Sequence, residues 1–298
     1  MLNPERVHLA IAPIGWTNDD LPELGAENTF QQCVSEMALA GFTGSEVGGK
    51  YPKDPAVLKP MLDIRGLQIC NQWFSMFATT QSLEENIKAL RAQCEFLQAM
   101  GAHVIGASEQ GNSIQGKPLP IFKEKPVYTE EQWKVVTDTC NELGRIAKED
   151  YDIQFTYHHH MGTGVQTDEE TERFLEMTDP NYVGLLYDSG HFTFSGEDAP
   201  AMLKKYISRV RHVHLKDVRM KVRQEVIDQD KSFLEAVFAG TFTVPGDGDV
   251  DFAPIFDILA ENNYEGWIVV EAEQDPAKAN PFEYAVKARE YIKKHTGL

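Results

Sequence analysis

VRHVHLKD at 210–217 decides the fold, together with YHHH at 157–160, VGLLYDSGH at 183–191 and WIVVEAE at 267–273. Each is a short strand-type run that ends in imidazoles or carboxylates. A strand sends alternate side chains to the same face. His212 and His214 therefore share one face, with Val213 and Leu215 on the other. Asp188 shares a face with Leu186, His191 follows in the turn, and Glu271 shares a face with Val269. Short parallel strands that all end in such groups predict a barrel with a metal at its mouth, where function sits in that architecture.

Outward from these segments the chain alternates between strand-like and amphipathic helical runs. Strands are predicted at 7–13, 43–47, 67–73, 103–107, 153–157, 183–188, 210–216 and 267–272. Helices are predicted at 28–40, 54–64, 82–100, 130–149, 168–177, 198–207, 252–262 and 281–295. In one of them Ile87, Leu90, Cys94 and Leu97 recur at three- and four-residue steps. Ser82, Thr129 and Thr167 each precede acidic residues, the pattern of a helix N-cap with acids in the first turn. Strict strand–helix alternation implies a parallel sheet. Eight units in 298 residues favour an α/β fold closed as a single (β/α)₈ TIM barrel, one domain over 1–298. No glycine-rich dinucleotide fingerprint follows the first strand, which weighs against an open doubly wound sheet. Residues 108–129 and 217–251 are long for strand-to-helix loops and are expected over the active-site face. PGDGDVDF, within the second, reads as a plain turn leading into a helix.

Composition narrows the function. With 28 basic and 46 acidic residues the net charge is −18, which argues against nucleic-acid partners. The four cysteines, Cys33, Cys70, Cys94 and Cys140, have no zinc-site spacing and read as reduced thiols of a cytoplasmic protein. The opening residues lack the pattern of a signal peptide, and no run is long enough to span a membrane.

Asp188, His214 and Glu271 can converge on one point from three consecutive strand ends and are the expected metal ligands. A mixed oxygen and nitrogen set suits Mn²⁺, Co²⁺, Fe²⁺ or Zn²⁺ better than Ca²⁺. His158 and His160 share a face that His159 opposes. Either can be a fourth ligand or a general acid, or can do no more than hydrogen-bond substrate or backbone. Lys50 and Lys216 are candidate proton shuttles. Trp16, Asn18, Glu46, Asn71, Glu109 and His212 are candidates for reading substrate hydroxyls.

DSGH, HVHLKD, PGDGDVDF and the glutamate of the last strand together resemble the xylose-isomerase-like TIM barrels. That family includes sugar isomerases and epimerases, inosose-processing enzymes and endonuclease-type relatives. APIGWTNDDLPELG at 12–25, EVGGKYP at 46–52, YHHHMGTGVQ at 157–166 and YDSGHFTFSGED at 187–198 are closer to its branch that dehydrates keto-inositols, and the likeness covers nearly the whole chain. The resemblance implies a divalent metal, Mn²⁺ or Co²⁺, a glutathione requirement, and loss of water from 2-keto-myo-inositol to a trihydroxycyclohexane-1,2-dione in inositol catabolism. It implies Asp188, His214 and Glu271 as ligands, and His191 close to the substrate. The family's usual fifth-strand glutamate is missing from DIQFTYHHH. Either a histidine of the triplet replaces it, or Gln154 does, or the metal has three protein ligands. A sugar or keto-inositol isomerase or epimerase on the same centre is the alternative. A homo-oligomer also fits barrels of this kind.

Overall fold

The computed structural model describes all 298 residues. Its central sheet closes as a parallel barrel: β1 (Val7–Ile11), β2 (Gly44–Glu46), β3 in two segments (Gln68–Asn71 and Trp73–Met76), β4 (Val104–Glu109), β5 (Gln154–His158), β6 (Val183–Asp188), β7 (Val210–Leu215) and β8 (Gly266–Val270). β1 pairs with β2 on one side and β8 on the other. β3 breaks at Gln72: its first segment pairs with β2 and its second with β4. The backbone N–H of Gly106 donates to the Gln72 carbonyl at 3.3 Å across the break. The expected eight strands are therefore present, one of them broken. Gly106 lets the strands approach there, since a Cβ would lie 2.9 Å from Leu186 and 3.0 Å from Asn71.

The helices form where the periodicity places them, and the three N-caps are real capping boxes. The Ser82, Thr129 and Thr167 side chains accept the backbone N–H three residues on, and Glu85, Gln132 and Glu170 reach back. The main core lies between barrel and helices, with Phe155, Phe174 and Tyr187 fully buried in it. No helix is long and apolar enough to cross a membrane.

The segment 217–251 is more ordered than a loop. It holds helices at Met220–Asp228 and Phe233–Phe238 and an antiparallel pair, Asp217–Val218 with Phe242–Thr243. With the stretch 108–129 and the turn near residue 20 it builds a second apolar cluster, in which Leu21, Ile121, Phe194, Phe233 and Phe242 meet. Backbone hydrogen bonding ties the two long segments together through Ile121 N–H and the Lys231 carbonyl, at 3.0 Å. PGDGDVDF is more than a plain turn. The Asp217 carboxylate accepts the backbone N–H groups of Val218, Gly246, Gly248 and Val250 at 2.8–3.0 Å. Asp247 binds Arg219, Thr243 and Lys287, and Asp249 accepts the Met220 N–H at 2.7 Å.

Replacing Asp217 by alanine strips four donors of their acceptor; the buried Val218 N–H left unpaired costs about 1–3 kcal/mol, while the partly exposed N–H groups of Gly246, Gly248 and Val250 are freed to water. Asp217→Ala should speed amide hydrogen exchange at Gly246, Gly248 and Val250 while the barrel strands keep their protection, as measured by mass spectrometry.

Candidate metal centre

The parallel register brings four strand ends to one point. Asp188 lies opposite His214, Leu186 opposite His158, and His214 opposite Val269. One donor atom each from His158, Asp188, His214 and Glu271 lies within 4.8 Å of the others. His158 Nε2 and His214 Nδ1 are each 3.5 Å from Asp188 Oδ2, and His214 Nδ1 also lies against Glu271 Oε2. His158 is thus the fourth member of the set. Gln154 sits at the far end of β5, with its amide on the Phe155 and Tyr182 carbonyls.

Each of the four has one polar atom held by the protein and one left over. His158 Nδ1–H donates to the His159 carbonyl at 2.7 Å, leaving Nε2 bare. His214 Nε2–H donates to Glu46 Oε1 at 2.9 Å, leaving Nδ1 bare. Asp188 Oδ1 accepts the His191 N–H at 2.8 Å and so caps the short helix Ser189–Ser195. Glu271 Oε1 faces the Lys216 ammonium at 3.1 Å. The remaining atoms Asp188 Oδ2, His214 Nδ1 and Glu271 Oε2 are buried without a hydrogen-bond partner. Two imidazole nitrogens and two carboxylate oxygens, each oriented from behind, are of the kind a divalent transition metal takes. The residues present fit such an ion.

Electrostatics follow from burial and neighbours. Burial alone would raise the Asp188 carboxyl, but the Lys216 ammonium outweighs it and holds the carboxyl well below the usual range. Glu46 behaves likewise, with His214 and His212 overcoming its burial. Burial pushes the His160 imidazole down to about 3 and lowers His191 well below its ordinary value, so both rings are neutral.

A cavity of about 170 Å³ opens onto His158, His214 and Glu271, and is lined by His160, Glu273, Asn71, Trp73, Asp19, Asp20 and Gln115 among others. Asn71 Nδ2–H donates to Glu46 Oε1 at 2.7 Å, and His212 stands 3.3 Å from the same oxygen. Glu46 Oε1 thus braces His214, while the side chain also lines the cavity. His191 and Lys216 are buried just behind the cavity wall, 2.9 Å apart.

Four expected site residues lie elsewhere. The Lys50 ammonium is taken up by the carbonyls of Gly25, Ala26 and Asn28 at 2.7–2.9 Å. Trp16 is a core residue whose indole N–H donates to Glu36 at 2.6 Å. Asn18 Oδ1 closes a local turn by accepting the N–H groups of Asp20 and Leu21. The Glu109 carboxylate turns away to hold Ala78, Thr79 and Gly111. The cavity residues Asp19, Asp20, Trp73, Gln115 and Glu273 went unread as site residues. Only Glu273 carried a signal: in VVEAE it stands two residues past Glu271, on the same strand-type face.

Residues 34–295 match the family described as xylose isomerase-like TIM barrel. The chain is 59% identical to the inosose dehydratase of Clostridium tetani and 60% identical to that of Clostridium beijerinckii, in both cases over 100% of each chain. It also resembles in fold a solved structure of an IOLI protein with a bound zinc atom, with a TM-score of 0.71 at 16% identity over 97% of this chain and 98% of that one. A family match of that extent, with full-length relatives at that identity, places the chain in the inosose dehydratase family of xylose isomerase-like TIM barrels.

Proposed function

We propose that this protein eliminates water from 2-keto-myo-inositol to give a trihydroxycyclohexane-1,2-dione, using one divalent ion, Mn²⁺ or Co²⁺, held by His158, Asp188, His214 and Glu271. The observation that carries the reading is the convergence of bare, braced donor atoms of those residues on a cavity rich in hydroxyl-reading groups. Full-length identity to inosose dehydratases names the reaction. Four buried free thiols fit a cytoplasmic setting.

A proton α to a ketone is too weakly acidic for a side chain to remove unaided. When bound, the metal supplies a Lewis acid that polarises the carbonyl and orients the substrate. The protein supplies the proton transfers. His160 Nδ1–H donates to the Met161 carbonyl at 2.9 Å, so its Nε2 is the atom free to accept. Glu273 stands with it in the cavity wall, one oxygen held by Lys216 at 2.7 Å. We assign to this pair the removal of the α-proton and the protonation of the departing β-hydroxyl. The C–H electron pair moves toward the carbonyl and returns to form the C=C bond as the C–O bond breaks, and the hydroxyl takes up a proton and leaves as water. Asn71, Asp19, Asp20 and Gln115 are placed to orient the remaining hydroxyls, and Trp73 walls the cavity beside the rings of His158 and His160, each 5.7 Å from its own.

The first test is an ultraviolet assay with 2-keto-myo-inositol. Chelation should abolish the dione absorbance and added Mn²⁺ or Co²⁺ should restore it. Substrate consumed without that absorbance would indicate isomerisation instead. Glu46→Ala removes the brace of His214, and loss of such a partner weakens metal binding by roughly 10–100-fold. A competition titration against a chelating dye should read that loss. His160→Ala should lower kcat by roughly 10²–10⁴-fold while the metal content per chain stays unchanged.

A further inference from the structure

Beside the four converging donors lies a second group, His160, His191 and Glu273, with one donor atom of each within 4.8 Å of the others. Two imidazoles and a carboxylate at that spacing would suit another metal ion. A cation already stands there. The Lys216 ammonium is 2.7 Å from Glu273 Oε1, 2.9 Å from His191 Nε2 and 3.1 Å from Glu271 Oε1. An ammonium has three donors and no acceptor, so it is satisfied by three acceptors. His191 Nε2 must then be a lone-pair acceptor, the same state in which it would bind a metal. Lys216 is fully buried, and its Nζ lies 5.1 Å above the Phe242 ring.

Glu271 also links the two groups. Glu271 turns Oε2 toward the first donor set and Oε1 toward Lys216. In two-metal enzymes the ions sit about 3.5–4 Å apart, close enough for one carboxylate to span them. The chain makes room for the lysine specifically. A Cβ on Gly190 would lie 2.4–2.7 Å from Cβ, Cγ and Cδ of Lys216. Those atoms are the base of the side chain, which cannot swing aside. Gly190 has no positive φ, so this close approach is what calls for a glycine in DSGH.

We propose that Lys216 is a built-in second cation, filling the place of a second metal ion so that the centre takes one. The proposal rests on the metal reading above. Lys216 is a positioning residue: it holds Glu271, Glu273 and His191 and acts on the substrate through them. Removing its side chain empties a site of two imidazoles and carboxylates, and that site accepts an ion.

The test is metal stoichiometry, independent of turnover. Chelator-stripped wild type and Lys216→Ala are loaded with Mn²⁺ and dialysed, and metal per chain is measured by elemental analysis with electron paramagnetic resonance. Wild type should hold one Mn²⁺ per chain. Lys216→Ala should hold two, with the broadened signal of a coupled pair. If the alanine variant fails to fold alone, Lys216→Ser expressed and purified in Mn²⁺ should give the same doubling. One ion in the folded variants, or two in the wild type, would overturn the proposal. A wild type that binds no Mn²⁺ or Co²⁺ would overturn the metal reading beneath it, an outcome distinct from both.

Discussion

Three carboxylates, Asp188, Glu271 and Glu273, are gathered at the mouth of the barrel where little water reaches them. An unpaired buried charge is expensive, and burial is tolerated only with a cation or hydrogen bonds to match. Much of the mouth follows from that constraint. One cation is covalent, the Lys216 ammonium. The second place is one a divalent ion would fit, since His158 and His214 turn bare nitrogens toward it. The backbone of the short helix after Asp188 takes the third share, through the His191 N–H.

Around this centre the support is layered. Glu46 braces His214 and is itself held by Asn71 and neighboured by His212. His159 turns to the opposite face, stacks on Phe192 with ring centres 3.6 Å apart, and accepts the Asp188 N–H at 3.2 Å. The triplet of histidines therefore points three ways: His158 into the converging donor set, His159 against the neighbouring strand, and His160 into the cavity wall. The apolar cluster above brings Phe233 to 5.3 Å from His160, ring to ring, so the covering segments pack directly on the cavity wall.

Most of the architecture was legible because it depends on periodicity. Two-residue alternation marked the strand ends and placed Asp188, His214 and Glu271 on inward faces, and three- to four-residue steps marked the helices. The choice between His158 and His160 was not legible. Both face inward, and the stagger between β5 and β6 decides which meets Asp188. Lys50, Trp16 and Glu109 stand near strand ends as expected, yet each has its polar group taken up by other partners, and Asn18 spends its Oδ1 on its own turn. Sequence position does not reveal where a carbonyl or a backbone N–H waits for a side chain. Asp19, Asp20 and Gln115 enter the cavity from turns and long connections, where no period exists to read. The break at Gln72 left no mark in the hydrophobic pattern.

The fit between Gly190 and the stem of Lys216 reaches beyond this molecule. Two positions on neighbouring strand ends share one parcel of space, so neither is free to drift alone. A chain that acquires a side chain at the first must shorten the second, and with it surrender the fixed positive charge. A barrel of this design would then have to recruit a mobile ion in its place. Nuclearity, the number of metals an enzyme of this shape carries, is in that sense written in a single missing methyl group.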